Sequence, residues 1–201
     1  MTLTDLAVQP GAVAPAHPVA LAELIVADGA SADIAELLSG ARAPQVLLGP
    51  CADALAELTA AIAQQKLDVL HIVAHGRTGG FSLGGEWIDT RTLAQHGDLL
   101  AGWKVSTIAL WSCHAGEDDT LPQVLAALTG ARVLATSGDL GMIGATARWE
   151  LADCGGAALP AGFAAPFDAA VMRAWPYRLA KLSFVNAYAV NTATTPAGKE
   201  A

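Results

Sequence analysis

Residues 67–80, LDVLHIVAHGRTGG, run from a nearly continuous apolar stretch directly into a histidine and a cluster of glycines. A stretch this short and this apolar, broken only by Asp68 and His71, reads as a strand over 67–75 covered on both faces, the kind found inside a parallel sheet. Residues 106–116, STIALWSCHAG, repeat the pattern, with an apolar run that closes on Ser112, Cys113 and His114. If the two runs are neighbouring parallel strands, a thiol and an imidazole leave the sheet at the same edge.

Working outward, LAELIVAD (21–28), PQVLLG (44–49) and ARVLATS (131–137) read as further strands. Helices fall between them. Ser31 or Asp33 caps one that presents Ile34, Leu37 and Leu38. A second covers about 51–65 with Leu55, Leu58 and Ile62 at helical spacing, a third is capped at Thr90, and a fourth over 120–129 turns Leu121, Val124, Leu125 and Leu128 inward. Glycines at 76, 79, 80, 84 and 85 suit tight turns or a hairpin. Strands alternating with helices predict an α/β fold, a three-layer α/β/α sandwich on a mostly parallel sheet. Beyond residue 149, WELAD reads as a short edge strand and GGAALPAG as a loop. The stretch 166–185 is either a helix interrupted near Pro176 or a helix followed by a strand. The expected organisation is a flexible arm over 1–19, one domain over 20–190 and a flexible tail over 191–201.

Composition narrows the function classes. The chain has 201 residues and a formal charge of −8, with its few Lys and Arg scattered, so a nucleic-acid partner is not expected. Hydrophobic residues make up 53% and mean hydropathy is +0.42, yet polar residues break every apolar run before it reaches bilayer-spanning length, so no membrane span is expected. The first residues lack the basic and apolar regions of a signal peptide. Cysteines at 51, 113 and 154 do not form a disulfide framework, which favours a reducing, cytoplasmic setting and leaves export without an N-terminal signal open.

The chemistry centres on His75 and Cys113. An imidazole close to a thiol stabilises the thiolate and later protonates a leaving amine, and the Gly76 and Cys113 amides are candidate donors to an acyl oxyanion. His114, next to the thiol, is expected to point to the opposite side if the strand continues, and is a lesser candidate for touching substrate. Asp139, after the fifth strand, is a candidate for lining a pocket that favours a basic side chain. His71 lies on a strand without the glutamate of the helical zinc motif and reads as a core residue; no metal site is expected. Cys51, at a helix start, is a place where a thiol pKa can be lowered. Trp111 is expected against a covering helix and Trp149 as an aromatic wall beneath the site.

Taken together, LHIVAHGRTGG, LGGEWID, IALWSCHAG, TGARVLATSGDLG and WELA resemble the caspase-like cysteine peptidases of clan CD. The likeness is to a bacterial branch found as a module in large secreted adhesin-like proteins and described mainly as a domain of unknown function; the CHAT domains are related. The resemblance covers about residues 20–152, leaving 153–190 as a C-terminal extension. It implies a caspase–haemoglobinase fold, a dyad without metal or other cofactor, and hydrolysis of a peptide or protein substrate. By matching blocks, His75 falls on the catalytic histidine, Cys113 on the nucleophile and Gly76 on the residue whose amide helps form the oxyanion hole. The expected function is a cysteine endopeptidase working through a thioacyl-enzyme, with a basic residue preferred before the scissile bond. The alternative is an inactive caspase-like module that binds a protein partner, or a second copy of itself, through a C-terminal region containing Met172, Trp175, Tyr177, Phe184 and Tyr188.

Overall fold

The computed structural model describes residues 21–143 and 146–180. The expected arm and tail, with Phe184 and Tyr188, lie outside the described residues. In chain order the elements are β1 (Glu23–Asp28), α1 (Ala32–Leu37), β2 (Gln45–Leu48), α2 (Ala54–Ile62), β3 (Leu67–Val73), β4 (His75–Arg77), β5 (Gly80–Leu83), β6 (Glu86–Asp89), α3 (Thr90–Gln95), α4 (Gly97–Leu100), β7 (Val105–Trp111), α5 (Thr120–Thr129), β8 (Arg132–Ala135), β9 (Gly141–Ile143), β10 (Thr146–Arg148), β11 (Ala152–Asp153) and α6 (Ala169–Ala174).

Six strands form the central sheet in the order β11-β8-β7-β3-β1-β2, all parallel except β11, which runs antiparallel against β8. Successive side chains of a strand point to opposite faces, and here both faces are dry. Leu24, Val26, Leu70, Ile72, Ile108 and Leu110 pack on one side with Leu55, Leu58, Leu93, Leu100, Leu121 and Leu125 from α2 to α5. Ile25, Ala27, Val69, Val73, Ala109 and Trp111 pack on the other with Ile34 and Leu37 of α1 and with Phe167 and Trp175 beside α6. The result is the expected three-layer α/β/α sandwich. No helix among the described residues is long and apolar enough to cross a membrane.

Several boundaries differ from the sequence reading for definable reasons. The apolar run at 67–75 is two strands: β3 stops at Val73, and His75 opens β4 of a separate antiparallel sheet, β4-β5-β6, made by the glycine-rich stretch. Asp89 rather than Thr90 caps α3, accepting the Thr92 amide at 2.9 Å. Asp53 caps α2, so Cys51 precedes the helix; burial raises its thiol pKa, contrary to the lowering a helix start gives. Trp111 stacks on Phe163 at 6.2 Å and meets Phe167 edge-on at 6.0 Å, both in the segment before α6 rather than in a helix. Neither alternative for 166–185 is met as far as Ala180: α6 is short and ends before Pro176, and in place of a strand the segment after it makes two isolated bridges, Arg178 to Gly141 and Ala180 to Gly76.

His71 is fully buried in β3, where its Nδ1 accepts the Trp111 Nε1 proton at 3.0 Å. Burial lowers its pKa from 6.5 to about 4, so the folded chain keeps the ring neutral where the unfolded chain protonates it. Stability is therefore complete above the unfolded value and falls as pH drops toward the folded one, by about 3 kcal/mol in total. Urea unfolding at about pH 7.5 and about pH 4 measures this loss. His71→Gln, which keeps an acceptor for Trp111, is expected to flatten it.

Candidate active site

Strand order fixes where the site lies. The chain steps from β1 outward to β2, then back across β1 to β3, and from there in the other direction to β7 and β8. Such a reversal marks the carboxyl ends of the central strands, the usual ligand position in an open α/β sheet. Asp33 follows β1, His75 follows β3 and Cys113 follows β7.

Asp33 is the residue that sequence reasoning assigned only to capping. Ser31 is the N-cap of α1, so Asp33 sits in the first turn. Its carboxylate receives His75 Nε2, at 3.2 Å from Oδ1 and 3.0 Å from Oδ2. An ionised carboxylate only accepts, so in the neutral ring this contact places the proton on Nε2 and leaves the lone pair on Nδ1. His75 Nδ1 is buried and has no hydrogen-bond partner among the described residues. Asp28 holds the turn that delivers α1: its carboxylate, fully buried, accepts from the Ala30 and Gly84 amides and the Ser31 hydroxyl.

Cys113 is 0% exposed. Its sulfur accepts the Leu140 amide at 3.1 Å and lies 3.6 Å from the Leu140 carbonyl. Burial pushes the thiol up to about 12, opposed by the hydrogen bond with Leu140, so at neutral pH it is a thiol. The other cysteines lie elsewhere: Cys154 adjoins β11, and burial pushes its thiol up to about 11.

Gly76 and Cys113 come from different strand ends, yet their backbone amides converge on one oxygen. Gly76 N and Cys113 N donate to the Leu179 carbonyl at 2.9 and 3.0 Å. Glycine is required at 76, since a Cβ there would lie 1.9 Å from Ser112 Oγ and 2.9 Å from the Cys113 carbonyl.

The remaining candidates form a chain of contacts beside this point. His114 takes a positive φ of 58°, which turns it out of the strand direction. Its Nε2 meets Asp139 Oδ1 at 3.1 Å, and Asp139 Oδ2 accepts from Arg178 Nη1 at 3.1 Å. Asp139 thus faces a basic side chain, supplied by this chain itself. Trp149 packs against Phe167 and Trp175, each at 5.6 Å, and Trp175 donates its indole proton to the Asp33 carbonyl at 2.7 Å. The aromatic wall expected from Trp149 therefore supports both the Asp33 turn and the segment that ends at Leu179. Trp175 is buried and Met172 half-buried, whereas Tyr177 is 42% exposed. Among the described residues no cluster of His, Cys, Asp and Glu suits a metal ion.

Comparison with curated proteins gives no match. The family model described as a domain of unknown function, DUF4347, matches residues 24–179, from the second residue of β1 to Leu179, a span that takes in every residue of the site just described. The chain belongs to the DUF4347 family.

Proposed function

We propose that this chain is a caspase-like cysteine peptidase, related to clan CD and the CHAT domains, in which Cys113 is the nucleophile and His75 the general base and acid. The observation that carries this reading is the convergence of the Gly76 and Cys113 amides on a single carbonyl oxygen, beside a buried thiol and at the strand end that bears His75. Two fixed N–H groups aimed at one oxygen are what a tetrahedral acyl intermediate requires, because negative charge develops on that oxygen. In this reading His75 Nδ1 takes the thiol proton as sulfur attacks and returns it to the leaving amine, so no resting thiolate is needed. Water then hydrolyses the thioester.

Specificity follows the same geometry. Asp139 meets Arg178, one position before the residue whose carbonyl enters the amide pair, so the basic preference belongs at that earlier position. The residue contributing the carbonyl is leucine, fully buried among apolar side chains. Alkylation of a Leu179→Asp chain, in which a charge replaces the buried leucine beside the amide pair, by a Tyr-Arg-Leu peptide bearing an electrophile tests the reading: selective, His75-dependent labelling of Cys113 supports it.

The competing function, a caspase-like module that binds a partner without cutting, draws on the complete burial of Cys113 and its raised pKa. Absence of selective labelling favours it.

Asp33 acts through His75 as a positioning residue. Asp33→Asn is expected to lower kcat by about 10- to 100-fold with little change in KM, through a weakened hold on the tautomer. A purely structural role for Asp33 would lower the folding midpoint instead of separating kcat from KM.

A further inference from the structure

The carbonyl in the amide pair belongs to the chain's own segment after α6, and that segment crosses the strand ends that carry His75 and Cys113. Leu179 N–H donates to the Leu140 carbonyl at 3.0 Å, and Met142 N–H donates to the Tyr177 carbonyl at 2.8 Å. Arg178 bridges Gly141 in antiparallel sense. The Leu179 side chain is fully buried, and Arg178 reaches Asp139. Beyond the amide pair the backbone continues past β4, where Ala180 bridges Gly76 in parallel sense. Glycine at 141 makes room for this pairing: its φ is +103°, and a Cβ there would lie 2.5 Å from the Tyr177 carbonyl.

A strap that merely completes a sheet exchanges one carbonyl for one N–H along a ladder. The Leu179 carbonyl departs from that pattern by taking two N–H groups from two separate segments, one of them the amide of the candidate nucleophile. Extended pairing on one side, a filled apolar pocket and a doubly held carbonyl are together the arrangement of a bound peptide at its reacting bond.

We propose that the chain is its own substrate, cutting the peptide bond between Leu179 and Ala180; this rests on the peptidase reading above and names its substrate. The Cys113 sulfur bonds to the Leu179 carbonyl carbon while the thiol proton passes to His75. The carbon–nitrogen bond to Ala180 breaks as His75 gives that proton to the departing amine, so everything beyond Leu179 leaves with a free N-terminus at Ala180. Water adds to the thioester and yields a Leu179 carboxylate and the original thiol.

The test is intact mass and N-terminal sequencing of the purified full chain over time, beside Cys113→Ala and Leu179→Asp chains whose folding is checked by circular dichroism. The expected result is a new N-terminus reading Ala-Lys-Leu-Ser-Phe in the native chain and none in Cys113→Ala. Cutting should slow by at least about 100-fold in Leu179→Asp, which places a charge in an apolar pocket. Cutting that persists in Cys113→Ala, or that falls at another bond, overturns the proposal. Trans hydrolysis of a Tyr-Arg-Leu coumarin amide separates the two levels of inference. A native chain that stays intact while the Leu179→Asp chain hydrolyses the amide through Cys113 overturns self-cutting, makes the segment a resident inhibitor and leaves the peptidase reading standing. Absence of Cys113-dependent cutting, hydrolysis and labelling in every chain removes both.

Discussion

On the proposed peptidase reading, Cys113→Ser is expected to lower peptide hydrolysis by about 10⁴-fold or more, measured with the Tyr-Arg-Leu coumarin amide in the Leu179→Asp background, where a charge at 179 keeps the strap from the amide pair. The loss comes from the nucleophile alone. A serine oxygen can still accept the Leu140 amide that the sulfur accepts at 3.1 Å, and the Gly76 and Cys113 amides are backbone groups untouched by the change. The fold is therefore retained, and the thermal midpoint moves by a few degrees at most, the effect of about 1 kcal/mol. A serine oxygen is shorter-bonded than sulfur, so it sits farther from the acyl carbon, and its hydroxyl is far harder to deprotonate than a thiol and a far poorer nucleophile. Hydrolysis within tenfold of the parent would show that Cys113 does not form the acyl bond.

The second large effect is at Gly76. Adding one methyl group in Gly76→Ala places a Cβ 1.9 Å from Ser112 Oγ and 2.9 Å from the Cys113 carbonyl, both in the fully buried turn after β7. The Cys113 carbonyl is backbone and cannot rotate away from the added methyl, so the two strand ends are expected to separate. Separation costs about 1–3 kcal/mol of stability by overpacking. It also pulls apart the two amides that meet at one oxygen, and loss of one such donor removes about 10²- to 10³-fold from kcat. The signature is a fall in kcat with KM for the coumarin amide changing much less, because the extended pairing along residues 140–142 is preserved. Unchanged kcat in a folded Gly76→Ala chain would mean that this amide is no part of the acyl site.

How far the sequence carried these conclusions depends on the range of each interaction. The buried strands β3 and β7 were legible because burial on both faces leaves an unbroken apolar run, and the glycines after His75 announced the turns of β4 to β6. The break at Val73 was not legible, since Ala74 and His75 continue the same pattern and only tertiary pairing ends the strand. Asp33 reads locally as a cap; its approach to His75 requires β1 to lie beside β3, and strand order is absent from any local periodicity. Asp139 was read as favouring a basic side chain of a substrate; that it meets this chain's own Arg178 depends on the path of the chain after Pro176. The β9–β10 ribbon was missed because its strands are short and interrupted by glycine.

The meeting of Leu179 with Gly76 and Cys113 joins positions on the order of 100 residues apart, so it is among the last contacts a folding chain can make. Until every strand between them is in register, the bond after Leu179 has no partner to react with. Scission would thus act as a proofreading clock: a copy that misassembles keeps its downstream sequence attached, and only a correctly finished one lets it go.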